Sequence, residues 1–148
     1  MAPLEAAGSA YDHEVWRIVV VAGVRLELPG VHPEVLLHET VPPYRELRIP
    51  VGFAEGTAIA YGWRGVDTPR PLTHQVFAEV LERHRIELEA VRITARRGNL
   101  FFAELDTMGP RGRQIVPCRP SDAIALVVRR KVPTPLLVAD WVFSGPEP

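Results

Sequence analysis

β-Branched and apolar residues dominate VWRIVVVAGVRLEL, from Val15 to Leu28, and predict a long strand bent at Gly23. LPGVHP follows as a turn. Val35–Thr40 and Tyr44–Val51 predict two strands closed by Pro42-Pro43 into a hairpin. Phe53–Trp63 carries Ala54, Ala58, Ala60 and Gly62, small residues that suit a helix packed closely on a sheet. Thr73–Arg85 is the clearest helix. Val76, Phe77, Val80 and Leu81 recur at helical spacing, and Thr73 is a candidate N-cap. Leu88–Ala95 alternates as a strand, RRGNL turns, and Leu100–Leu105 returns. DTMGPRGR reads as a second turn before a short strand, Gln114–Cys118. Ser121–Arg130 predicts a third helix, and Leu136–Val138 a last short strand. This order predicts one α+β domain, a mixed or antiparallel sheet packed with about three helices. The domain is expected over residues 13–143, with tails at 1–12 and 144–148.

A chain of 148 residues buries enough surface to fold without a disulfide or a metal. Its net charge of −1 gives no bulk attraction to nucleic acid or an anionic membrane, so any polyanion binding has to come from a local cluster. The single cysteine, Cys118, excludes an internal disulfide and a thiolate metal site, and suits a reducing compartment. No apolar run approaches the ~20 residues of a membrane span, and the N-terminus lacks a basic segment followed by an apolar one. A cytoplasmic protein without membrane association is the expectation.

Candidate chemistry centres on RPSDAIAL, Arg119–Leu126. Ser121 or Asp122 can cap the third helix, and Asp122 complements its positive end. Arg119 adds positive charge to an end that is already positive. Either Asp122 or Glu55 neutralises it, or it awaits an anion such as a phosphate. Arg70-Pro71 before the second helix echoes Arg119-Pro120 before the third, which predicts an arginine just outside each N-terminus. His74 starts the second helix, where a positive end favours neutral imidazole, a base or a metal ligand. Glu55, Asp67, Glu104, Asp106 and Asp122 are carboxylates available to a divalent ion, but no spacing declares a metal site. Ser121 lacks the Gly-x-Ser-x-Gly setting of a hydrolase nucleophile. Cys118 reads as core. Of Phe101 and Phe102, adjacent on a strand, only one can face solvent to stack a base, and core filling is the simpler reading.

Taken together, VGFAEGTAIA, RPLTH, LFFAEL and RPSDAIAL resemble the bifunctional nuclease domain family, whose members act on DNA and RNA. The matching positions are Gly52, Glu55, Ala58 and Ile59; Arg70, Pro71, Thr73 and His74; Phe101 or Phe102 with Ala103 and Leu105; and Arg119–Leu126. The likeness runs from about Val15 to Val142. Gln75 stands where the family commonly has Asp after Thr-His, and LRIPVG replaces its Leu-Pro-Ile-Trp-Ile-Gly strand. The resemblance implies a nuclease hydrolysing phosphodiester bonds of DNA and RNA with little sequence preference. On that reading Arg70, Arg119 and Ser121 bind phosphate, and Glu55, His74 and Asp122 are catalytic. Glu55 and Asp122 are also the candidate ligands of a divalent metal, Mg²⁺ or Mn²⁺. The alternative is a non-catalytic binding module, or one assembled into a homo-oligomer.

Overall fold

The computed structural model describes residues 15–26, 29–30, 32–130 and 132–144. Among the described residues seven strands form one sheet in the order β3-β2-β1-β7-β4-β5-β6. The strands are β1 (Trp16–Arg25), β2 (Glu34–Glu39), β3 (Glu46–Pro50), β4 (Glu87–Arg97), β5 (Leu100–Gly109), β6 (Gly112–Cys118) and β7 (Leu136–Ala139). All neighbours run antiparallel except β7 and β4, which are parallel. The sheet is therefore mixed. The last strand inserts at its centre, between β1 and β4, so both halves close into one unit. Among the described residues the helices are α1 (Phe53–Arg64), α2 (Thr73–Arg83) and α3 (Pro120–Val128), with a 3₁₀ turn at Asp140–Ser144.

β1 bends as expected, with an irregularity in its pairing to β2 between Val21 and Gly23. The residues that turn inward are branched and apolar: Val35, Leu37, Ile49, Val91, Ile93 and Val138 are fully buried. Ile59 of α1 and Ile124 of α3 meet them from the helical side, so one core holds sheet and helices together.

Several expectations are corrected. The small residues of α1 serve α3 and a loop more than the sheet. A Cβ on Gly62 would lie 2.7 Å from Val128 Cγ2 of α3, and one on Gly56 would lie 2.6 Å from Pro33 Cγ. DTMGPRGR is mostly strand. β5 continues through Asp106, Thr107 and Met108, and the reversal is confined to Pro110-Arg111, with Gly112 at φ 92°. Asp106 reads as a turn residue in sequence, but Arg92 and Arg113 satisfy its carboxylate within the sheet at 2.7–2.9 Å. α2 ends at Arg83 and α3 at Val128, each two residues short of expectation. Ser144 closes the 3₁₀ turn instead of opening a tail, and the expected tail over residues 1–12 lies outside the described residues.

Candidate functional site: the groove at three helix N-termini

Each helix places a polar side chain at its third position, where it can reach back over the free N–H groups of the first turn. In α1 this is Glu55, behind an N-cap at Gly52. In α2 it is Gln75, whose Oε1 accepts the N–H of the N-cap Leu72. In α3 it is Asp122, whose Oδ2 accepts the N–H of the N-cap Arg119 at 3.1 Å. Neither Thr73 nor Ser121 is a cap. Thr73 is the first residue of α2, while Pro120 and Ser121 are the first two of α3. In both helices the third-position side chain reaches the N-cap amide, so the N-cap residue needs no capping group of its own. That frees Arg119 to be an N-cap residue.

Arg119 joins two of these positions. Its Nη2 donates to Asp122 Oδ1 at 2.8 Å and its Nε to Asp122 Oδ2 at 3.0 Å, a bidentate pair. Its Nη1 reaches Glu55 Oε1 at 3.3 Å, across from α3 to α1. Glu55 gets there by folding over Gly52, where a Cβ would overlap its Oε2. Arg119 holds the Asp122 carboxyl below the usual carboxylate range, against the opposing effect of burial. Asp122, with Glu55, raises the guanidinium in turn. The cluster is open: the side chains of Arg119, Asp122 and Glu55 are 65%, 42% and 32% exposed.

α1 and α2 both lean on α3, and a groove of about 820 Å³ runs between them, floored by α3 and by β5 and β6. The first turns of all three helices line it, through Glu55, Thr73, His74, Arg119, Ser121 and Asp122. Three positive helix ends thus face one space. Of the six site residues expected from sequence, Glu55, His74, Arg119, Ser121 and Asp122 meet here. Arg70 does not. It is exposed, lies two residues before the α2 N-cap, and is absent from the groove lining. The echo between the two Arg-Pro pairs is therefore one of sequence only: the counterpart of Arg119 in α2 is Leu72.

His74 is half-buried, and its Nε2 is enclosed without a hydrogen-bond partner. Burial, and secondarily the charge of Arg129, push its pKa down, so the ring is neutral at pH 7. Neutral imidazole fits a base and not an acid at that pH. Burial raises the Cys118 thiol to about 11, which leaves it protonated and a weak nucleophile. Ser121 is buried at the second helical position.

The remaining carboxylates lie apart. Asp106 is committed to Arg92 and Arg113, Glu104 is buried, and Asp67 is exposed outside the groove. Among the described residues no three His, Cys, Asp or Glu side chains come together as a metal site. The two carboxylates that could hold an ion in the groove both face the Arg119 guanidinium, so the residues as arranged do not fit a resident divalent cation. The sequence reading missed Phe53, Tyr61 and Phe77, which also line the groove. Their signal was present: Phe53, Thr57 and Tyr61 recur every four residues and so share one face of α1. Phe101 is core and Phe102 is exposed on the sheet, away from the groove.

Fold and site together define a single-domain α+β protein with an open groove at converging helix N-termini. The model of the bifunctional nuclease domain matches residues 35–144, and the chain belongs to that family. The matched region starts at β2, so β1 lies outside it although it pairs with β2 and β7 in the sheet. An uncharacterized protein of Mycobacterium tuberculosis strain CDC 1551 / Oshkosh is 38% identical over 116 residues, covering 78% of this chain and 68% of the relative. Another from strain H37Rv matches with the same identity and coverage. No helix among the described residues is long and apolar enough to cross a membrane.

Proposed function

We propose that this chain is a cytoplasmic nuclease that binds a phosphodiester of DNA or RNA in the groove and hydrolyses it with little sequence preference. The observation that carries this is the meeting of three helix N-termini and an exposed, carboxylate-held arginine in one groove. A phosphate oxygen displaces Glu55 from the Nη1 edge of the Arg119 guanidinium, whose charge offsets the negative charge gained at phosphorus in the transition state. Asp122 keeps that guanidinium in plane through its two hydrogen bonds and is a positioning residue. Glu55 is held by one 3.3 Å contact, the weaker of the two pairings, and is released when phosphate competes for Arg119. Once freed, its carboxylate accepts a proton from the attacking water; the P–O ester bond opposite that water breaks, and the departing oxygen takes up a proton from solvent. His74, neutral and lining the groove, is the second candidate base. Arg70 contributes at most where the strand leaves the groove.

Cleavage of supercoiled plasmid DNA and of RNA by the whole chain tests this, with and without EDTA. Wild type and Arg119→Ala are compared after circular dichroism has shown equal folding. A loss of about 100-fold is expected, in line with removing one preorganised charge-stabilising donor. Equal cleavage by a folded Arg119→Ala protein assigns the activity to another site or a contaminant. The EDTA arm decides whether Mg²⁺ or Mn²⁺ takes part.

A second reading, homo-oligomeric assembly, rests on α2. Its apolar face is largely uncovered, with Val76, Phe77 and Val80 at 50%, 42% and 45% exposure. Sedimentation of wild type against Val80→Glu separates the two: assembly through α2 requires the variant to fall to a smaller species.

A further inference from the structure

The groove carries no net positive charge, which is unusual for a nucleic-acid site. One guanidinium faces two carboxylates, and the histidine beside them is neutral. Duplex binding draws its affinity from many neutralised phosphates, and nothing along these walls neutralises a row of them. The walls instead present rings. Phe53 is 65% exposed, Tyr61 41% and Phe77 42%, and all three line the groove. Phe53 and Tyr61 stand two helical turns apart on one face of α1, about 12 Å along its axis. Phe77 belongs to α2, the other wall. Singly exposed apolar residues are ordinary on a protein surface. Three aromatic rings around one groove, with an arginine at its helix-terminal end, form a patch with a polar anchor.

We propose that the groove takes single-stranded nucleic acid, with unpaired bases stacked on Phe53, Tyr61 and Phe77 and one phosphate at Arg119. This rests on the nuclease reading and narrows its substrate to strands whose bases are free. Every base offers a π face, so stacking is tolerant of sequence and of sugar, which accounts for action on both DNA and RNA. Bases inside a duplex cannot reach the rings without being unstacked, so duplex enters only where it opens. Since bases and not phosphates supply most of the affinity, binding should depend weakly on salt. A single phosphate contact gives a slope of log K against log salt near −0.7 on single strands.

The test is fluorescence anisotropy with a labelled, cleavage-resistant phosphorothioate thymidine oligonucleotide, the same strand paired to its complement, and inorganic phosphate as competitor. The expected result is single-strand binding at least tenfold tighter than duplex, with a slope close to one phosphate. Phe53→Ala and Phe77→Ala each weaken it by roughly tenfold, the usual contribution of one stacked base. Both side chains are well exposed, so folding is not at stake, and Phe53→Trp should restore binding. Equal affinity for duplex overturns the proposal. So does a steep salt slope, or unchanged binding in both alanine variants. The two readings fail separately. Cleavage that ignores the rings leaves the nuclease and removes the single-strand preference. Ring-dependent binding without cleavage by wild type does the reverse.

Discussion

Glu39 and Asp122 both answer arginines, one at the end of β2 and one at the groove. The Glu39 side chain is fully enclosed, bound by Arg17 at 2.6 Å and by Arg45 at 2.9–3.0 Å. Arg45 continues to Asp140 at 2.6 Å and lies over the Phe143 ring at 4.4 Å. Arg17 also donates to the Pro42 carbonyl, so strand, turn and 3₁₀ helix are tied at one knot. Asp122 by contrast shares an arginine that is 65% exposed, whose other edge is held only by Glu55 at 3.3 Å. The same functional groups thus form a closed structural knot in one place and an open, exchangeable cluster in the other. Exposure of the arginine, and not the count of ion pairs, separates them.

That contrast breaks most visibly through stability. Glu39→Ala takes the shared anion from Arg17 and Arg45, while Arg45 keeps Asp140; with both guanidiniums partly exposed, losing these charged hydrogen bonds costs roughly 2–3 kcal/mol. Urea denaturation should show this loss, while cleavage per folded molecule stays at the wild-type rate. Arg119→Ala should do the opposite. Its pairs are solvent-exposed and together worth about 1 kcal/mol or less, so stability hardly moves while cleavage falls about 100-fold. A large stability loss in Arg119→Ala would make the groove cluster structural and erase the contrast.

Acid provides the next discrimination. Arg45 first, and then Arg17, hold Glu39 at about 2, below its ordinary value of 4.5. A carboxylate whose folded pKa is depressed stabilises the fold above its unfolded pKa and loses that contribution as pH falls through the folded one. Stability should therefore decline between about pH 4.5 and pH 2. Glu39→Gln should flatten the decline, and Asp122→Asn should flatten it less. His74 acts with the same sign at higher pH: with its folded pKa depressed, protonation below the unfolded value near 6.5 opposes folding. Chemical denaturation across the pH range reads all three.

Gly52→Ala tests how finely the open cluster is set. A Cβ there takes the space of the Glu55 carboxylate, the mobile end of a side chain, so the backbone can remain in place. Stability should change by less than about 1 kcal/mol. The Glu55–Arg119 contact should be lost, and cleavage should fall by roughly tenfold, about 1.4 kcal/mol. Full activity in this variant would mean that Glu55 need not start from its seat over Gly52 beside Arg119.

What the sequence disclosed and what it hid follow the range of the interactions. The strands of the β2–β3 and β4–β5 hairpins, and all three helices, were legible because hydrophobic period and turn residues act over a few positions. The RPSDAIAL helix start was legible for the same reason. The extent of β5 was hidden because Asp106 is made a strand residue by Arg92 and Arg113, which only the fold brings near. The place of β7 between β1 and β4, and the Glu39 knot, depend likewise on distant partners. At the site, Arg119, Glu55 and Asp122 were named as candidate partners, and five of six expected residues converge. The capping positions were misread because a third-position side chain can serve an N-cap residue that has no capping group.

The smallest predicted effect concerns that capping. The Gln75 amide oxygen accepts the Leu72 N–H, the same service Asp122 renders to Arg119. Gln75→Ala should cost about 1 kcal/mol, the usual worth of a helix-start hydrogen bond, with fraying confined to the first turn of α2. Gln75→Asp should keep most of that, since an anion at the third position also complements the helix end. Because Gln75 lies outside the groove lining, neither variant should alter cleavage by more than about twofold beyond its effect on α2 stability. A gain of activity in Gln75→Asp alone, with unchanged stability, would mean that this position acts on the substrate and that α2 presents a second working carboxylate beside His74.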